Sequence, residues 1–247
     1  MTTAAPPHEV TYLEAISEAL DEEMSRDDSV FLLGEDIGPY GGAFRITEGF
    51  QKKYGEWFFH SPGLKLVAPS TPYDAKGLLK AAIRDNNPVI YFEHKFLYRR
   101  LKAVLPTEDY IVPIGKAEVK RIGRDISVIT YGAMVHLALE AADLLAKEGT
   151  ELEVVDLRTL IPLDKQTIFE SVRKTSKAIM LHEDNKTGGI GAEVAALVAE
   201  ECFDCLDGPI LRIAAPDTPV PFSTTLEEFF LPKVVDVVAA ARKLAAY

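Results

Sequence analysis

From residue 126 onward the chain repeats one pattern four times, a short apolar run followed by an amphipathic stretch. The pairs are SVITYG before AMVHLALEAADLLAKEG, LEVVDLR before DKQTIFESVRKT, KAIMLHE before GAEVAALVAEECF, and PILRIAA before LPKVVDVVAAARKLAAY. Strands that are apolar almost without interruption are buried on both faces. Four of them alternating with helices predict an α/β domain, a doubly wound parallel sheet covered by helices on both sides. With 247 residues, 47 % of them hydrophobic, the chain is long enough for that core and for a second domain.

The first half repeats the same grammar with fewer elements. Thr11 followed by Glu14 makes a capping box, and Tyr12, Leu13, Ile16, Leu20 and Met24 mark one apolar face, so residues 11–25 are predicted as a helix. SVFLLGEDIG predicts a buried strand near residue 30, LKLVAPS a strand near 66, and NPVIYFEHK a strand near 90. TPYDAKGLLKAAIRD reads as a helix opened by Ser70 or Thr71 with Pro72 in its first turn. LKAVLPTEDYIVP, residues 101–113, holds two prolines and no sustained period. The domain boundary is placed there, giving domains 1–105 and 106–247. Three strands are few for a parallel sheet standing alone. The shortage directs attention to EWFFHSPGLKLV, where the only Trp, Trp57, follows a helix stop at Gly55 and leads at once into a strand.

Several function classes are excluded or weakened. A formal charge of −11 sets the overall field against nucleic acid. No apolar stretch is long enough to span a bilayer, and MTTAAPPHEV resembles neither a secretory signal nor a transit peptide, which favours a bacterial cytoplasm or a mature mitochondrial chain. Cys202 and Cys205, in ECFDCL, cannot by themselves make a four-thiolate zinc site and are expected as two core cysteines on one helix face in a reducing compartment. His136 and His182 have no matching nucleophile elbow, so a hydrolase triad lacks support.

Other stretches carry two readings each. In GEDIGPYGGAF, Glu35 and Asp36 follow a buried strand, where open α/β sheets put ligand-facing groups, yet acids there also cap loop amides. HEDNKTGGIGAEV has the glycines of a phosphate cradle, but Val194 takes the third glycine position and Glu183 and Asp184 repel phosphate. Tight packing of helix on strand is the better account. AAIRDNN ends a helix with free carbonyls, Asp85 and Asn87, a donor set for a weakly held cation or an ordinary helix stop. DTPVPF is a rigid loop suited to a neighbouring subunit or to a plain crossover.

Taken in order, VFLLGEDIGPYGGAFRITEGFQKKYG, HSPGLKLVAPSTPYDAKGLLKAAIRDNNPVIYFEHKFLYR, VVDLRTLIPLD, HEDNKTGGIGAEV and DTPVPF resemble the β subunit of the thiamine-diphosphate-dependent decarboxylase component of 2-oxo acid dehydrogenase complexes. The resemblance implies a pyrimidine-binding domain, here incomplete, followed by a transketolase C-terminal-type domain. It implies an α2β2 heterotetramer in which the α subunit holds the diphosphate through Mg2+, and transfer of the acyl group to a lipoyl acyltransferase component. The absence of a G-D-G diphosphate motif agrees with a β chain. By motif match Glu35 is the acid near the active-site channel, and Ala82, Ile83, Asp85 and Asn87 form a K+ loop. EHKFLYR sides with branched-chain or broad-range members over pyruvate-specific ones.

One departure from the family stands out. The segment expected between Gly55 and Glu56, with the glutamate that meets the aminopyrimidine and an active-site His, is absent, and His60 matches a later, non-catalytic His. An internal deletion, a disordered stretch closed up in the sequence, or a truncated non-catalytic form each account for it. The alternative function is accordingly a non-catalytic assembly module. An unrelated nucleotide-binding α/β protein rests on TGGIGAE alone.

Overall fold

The structure, a computed structural model, describes residues 8–27 and 62–247. Glu35, the strand expected near residue 30 and the join of Gly55 to Glu56 lie outside the described residues. The chain divides into two compact units, Met1–Gly115 with Thr159–Pro162, and Lys116–Arg158 with Leu163–Tyr247.

The described part of the first unit opens with strand β1 (His8–Thr11) and helix α1 (Tyr12–Arg26). The predicted capping box forms: Thr11 Oγ1 accepts from the Glu14 amide at 3.1 Å, and Glu14 Oε2 accepts from the Thr11 amide at 2.7 Å. Strand β2 (Lys65–Val67) leads to helix α2 (Pro72–Ile83), then to β3 (Val89–Tyr91) and β4 (Lys102–Leu105). Thr71, not Ser70, caps α2, its hydroxyl accepting from the Asp74 amide and donating to Asp74 Oδ2.

Two sheets form in this unit. The strand β8 (Thr159–Ile161) pairs antiparallel with β2, giving the order β3-β2-β8, while β1 and β4 make an antiparallel pair with His8 opposite Leu105. The sequence predicts no regular element over 101–113. Four residues of alternation, Lys102 and Val104 outward and Ala103 and Leu105 inward, are too few to register as a period beside Pro106, and the strand's partner lies more than ninety positions away. The inward residues close a small core with Val10 and Ala15.

Helix α1 buries Tyr12, Ala15, Ile16, Ala19 and Glu23, a face displaced toward two small alanines. That displacement turns Glu18, Glu22 and Glu23 toward Lys76, Lys80 and Arg84 of α2 and its cap. Lys76 Nζ reaches Glu18 at 2.9 Å and Glu22 at 2.5 Å, Lys80 pairs with Glu22 and Asp109, and Arg84 Nη2 lies 2.5 Å from Glu23. Buried ammonium groups survive only when paired, and here each has a carboxylate.

In the second unit β5 (Glu118–Arg121), β6 (Ile126–Thr130), helix α3 (Met134–Ala146), β7 (Leu152–Asp156), α4 (Lys165–Thr175), β9 (Ala178–Asn185), α5 (Ile190–Glu201), β10 (Leu211–Ala215), α6 (Thr224–Phe230) and α7 (Val234–Ala245) follow in order. The sheet order is β10-β9-β6-β7-β5, with four parallel strands and β5 antiparallel on the edge. Every residue of β6 and β7 is buried, as the near-continuous apolar runs require. Four of these buried residues are polar, Ser127, Thr130, Glu153 and Asp156, and Ser127 shares hydrogen bonds with Ser171 (2.6 Å) and Thr175 (2.7 Å) of α4. Helix α5 ends at Glu201, so the two cysteines do not share a helix face: Cys202 is its buried cap and Cys205 sits half-buried in the following 3-10 turn.

Candidate functional site

The residues matched to a K+ loop come together where α2 ends. Asp85 Oδ2 accepts from Lys65 Nζ at 2.5 Å, and Oδ1 accepts from the Asn87 amide at 2.8 Å and from its side-chain Nδ2 at 2.9 Å. The Lys65 ammonium, with help from Asn87, holds the half-buried Asp85 carboxyl down at about 2. The Ala82 carbonyl receives the Asp85 amide at 3.3 Å. The Asn87 amide turns to Asp85, and Ile83, the last residue of α2, is among the terminal positions whose carbonyls carry the helix's partial negative charge. The four residues thus form one oxygen-rich corner, and Lys65, which sequence reading passed over, supplies a cation of its own.

A second group lies beneath EHKFLYR. The Tyr12 hydroxyl donates to the Pro69 carbonyl at 3.3 Å, the Tyr91 hydroxyl donates to the Ala75 carbonyl at 2.8 Å, and the Tyr98 hydroxyl donates to Glu93 Oε2. The Tyr12 and Tyr98 rings stack with centroids 6.0 Å apart. Burial pushes the Glu93 carboxyl up, only partly offset by the Tyr98 hydrogen bond, and burial raises the three phenols as well. The result is a low-dielectric, proton-retaining cluster. Tyrosines spread over 87 positions of sequence gave no local signal of it.

In the second unit the strand order reverses between β6 and β9, the place where open α/β sheets form ligand crevices. Here that crevice is filled. A Cβ on Gly191 would stand 2.6 Å from both Cδ2 and Nε2 of His182, closer than real contacts allow, so glycine is required for α5 to lie on the strand. The remaining cavity of about 10 Å3 has room for at most one water. A phosphate cannot enter, which agrees with the packing account of TGGIGAE. Burial, with Arg212 adding repulsion, pushes the 1 % exposed His182 down to about 4. The loop DTPVPF is tied back to the same turn, Asp217 accepting from the Thr187 amide at 2.8 Å and from its hydroxyl at 2.7 Å. Among the described residues no cluster of three or more His, Cys, Asp or Glu could hold a metal ion, and no helix is long and apolar enough to cross a membrane.

Among the buried and half-buried acids of the described first unit, Glu23 pairs with Arg84 and Arg26, Asp74 accepts from the Thr71 hydroxyl through Oδ2 in the α2 cap, and Glu93 accepts from Tyr98 through Oε2. Glu35 lies outside the described residues.

Comparison with known proteins places these features in a family. The transketolase pyrimidine-binding domain model matches residues 53–100 and the transketolase C-terminal domain model residues 115–237. The chain is similar to the 2-oxoisovalerate dehydrogenase subunit beta of Bacillus subtilis, 40 % identical over 96 % of this chain and 99 % of that protein. It is also similar to the pyruvate dehydrogenase E1 component subunit beta of the same organism, 38 % identical over 97 % of this chain and 99 % of that protein. The first alignment runs over 324 positions, 77 more than the chain's 247 residues, so at least that many positions of the relative have no counterpart here. A solved split-gene transketolase, an inactive β4 tetramer, matches with a TM-score of 0.63 and 26 % identity, covering 77 % of this chain and 60 % of that one. With two domain models in order and such identity across nearly its whole length, the chain belongs to the family of E1 β subunits of 2-oxo acid dehydrogenase complexes.

Proposed function

We propose that this chain is the β partner in the thiamine-diphosphate-dependent oxidative decarboxylation of a 2-oxo acid of the pyruvate or branched-chain type. It would work with an α subunit in an α2β2 assembly, in a bacterial cytoplasm, and pass its acyl product to a lipoyl acyltransferase. The carrying observation is the identity of 38–40 % with two E1 β subunits over essentially the whole chain. Thiamine diphosphate, when bound, supplies the carbanion chemistry, and Mg2+ would be held by the α subunit. The motif that bears the aminopyrimidine glutamate does not occur in the sequence, so no step is assigned to the described residues. Glu35 belongs to the proposal as the acid at the channel. Ala82, Ile83, Asp85 and Asn87 belong to it as a K+ corner, their hard oxygens and the helix end being suited in chemistry to a large monovalent ion.

A second reading, that the 247-residue form assembles without catalysing, is favoured by the 77 or more missing positions. One experiment separates the two. The purified chain is weighed by intact mass spectrometry and assayed with its α subunit for 2-oxo-acid-dependent ferricyanide reduction. A mass of 27.2 kDa with turnover supports the first reading and overturns the claim of an incomplete site. That mass with complex formation but no turnover supports the second, and failure to bind any α subunit overturns both.

A further inference from the structure

Strand β10 ends the second unit's sheet, pairing with β9 on one side and, among the described residues, with no strand on the other. Leu211, Arg212, Ile213 and Ala214 are half-buried, whereas every residue of β6 and β7 is buried. A free edge presents unpaired N–H and C=O groups, a template for one more strand. Beside it lies an open groove of about 470 Å3 between β10 and α7, with Leu211, Ile213, Ala239 and Ala240 as its apolar lining. Val235, 66 % exposed, is one helical turn before Ala239 and continues the apolar stripe.

The groove is also cationic. Lys186, Arg212 and Lys243 line it, and among the described residues none of the three forms an ion pair. Arg212 donates Nη1 to the Lys186 carbonyl at 2.9 Å; Asp217, bound by Thr187 and by the Lys186 amide, also attracts the Lys186 charge, so Arg212 and Lys243 carry most of the groove's uncompensated positive charge. Three cations gathered on a strand edge of a chain with a formal charge of −11 select an anionic occupant. The edge requires that occupant to be extended peptide, because only a backbone offers the matching ladder of donors and acceptors. Two β10 edges paired about a two-fold axis would bring the cations of both copies together, which like-charge repulsion opposes.

We propose that the β10 edge and its groove dock an extended acidic segment of a partner protein, added as a sixth strand with alternate side chains on the apolar lining and its carboxylates toward Lys186, Arg212 and Lys243. The proposal does not depend on the cofactor reading.

The test uses the full chain and a fluorescein-labelled octapeptide alternating Glu with Val and Thr, followed by anisotropy at low salt. Saturable binding is expected, with amides of β10 gaining protection from hydrogen exchange. Binding should weaken at least about tenfold in the surface double variant Arg212→Glu, Lys243→Glu, whose folding is checked by circular dichroism. A matched peptide with Lys in place of Glu should not bind. The idea is overturned by absence of binding, by equal affinity for the lysine peptide, or by indifference to the charge reversal. Full competition by heparin without β10 protection would indicate a general anion patch and also overturn it. If sedimentation instead shows the wild-type chain self-associating through this edge, the occupant is a second copy and the proposal fails.

Discussion

Lys65 Nζ lies 2.5 Å from Asp85 Oδ2, so the carboxylate proposed to hold K+ already faces a cation tethered to the neighbouring strand. The lysine competes with any metal ion for that oxygen. Removing that unit charge from beside the carboxylate should strengthen a cation's binding there several-fold. Lys65→Met is therefore expected to increase the stabilisation by KCl, relative to tetramethylammonium chloride at equal ionic strength, in thermal melts. Equal response in wild type and variant would remove the K+ assignment.

Arg84 crosses from the end of α2 to Glu23, whose side chain is fully buried on α1. Burial works to raise the Glu23 carboxyl, but hydrogen bonds from Arg84 and Arg26 outweigh it and keep it below the usual range. Arg84→Met leaves that charge with Arg26 alone, and a loss of about 2–3 kcal/mol in urea unfolding is expected. The double variant Arg84→Met, Glu23→Gln should recover part of the loss. A double variant no more stable than the single would show that the pair is not coupled.

His182 sets an acid limit on the second unit. Its native pKa, about 4, lies below the ordinary imidazole value of 6.5, so as pH falls the unfolded chain takes up the proton first. The stabilisation is complete above pH 6.5 and is lost between there and about 4, amounting to about 3 kcal/mol across the whole window. Between pH 6.5 and 5, where most carboxylates stay ionised, His182→Gln should flatten the dependence of urea stability on pH. An unchanged slope in the variant would assign the acid limb to other groups.

The two cysteines should differ in reactivity. Cys202 is buried, its thiol pushed up mainly by burial, while half-buried Cys205 donates its Sγ–H to the Cys202 carbonyl at 3.0 Å. Native titration with a disulfide reagent is expected to modify Cys205 slowly and Cys202 only after denaturant is added. Equal rates for both would mean that this turn opens readily.

Elements whose instructions are local can be read from consecutive residues alone. The Thr11–Glu14 box, the Thr71–Pro72 helix start and the four apolar strands of the second unit are each written within a few consecutive residues, and all are present. The glycine at 191 was legible as a close approach, although not the imidazole that demands it. Pairings between distant positions emerge only in the folded chain: β1 with β4, β8 joining the first unit's sheet, β5 running antiparallel on the second unit's sheet edge, Lys65 at Asp85, and Tyr98 at Glu93. Strands of three or four residues carry too little period to announce themselves, and their stability comes from partners that the chain reaches only once folded. The burial of Glu23 against Arg84 belongs with these, because a charge in a helix reads as solvent-facing until another helix supplies its counter-ion.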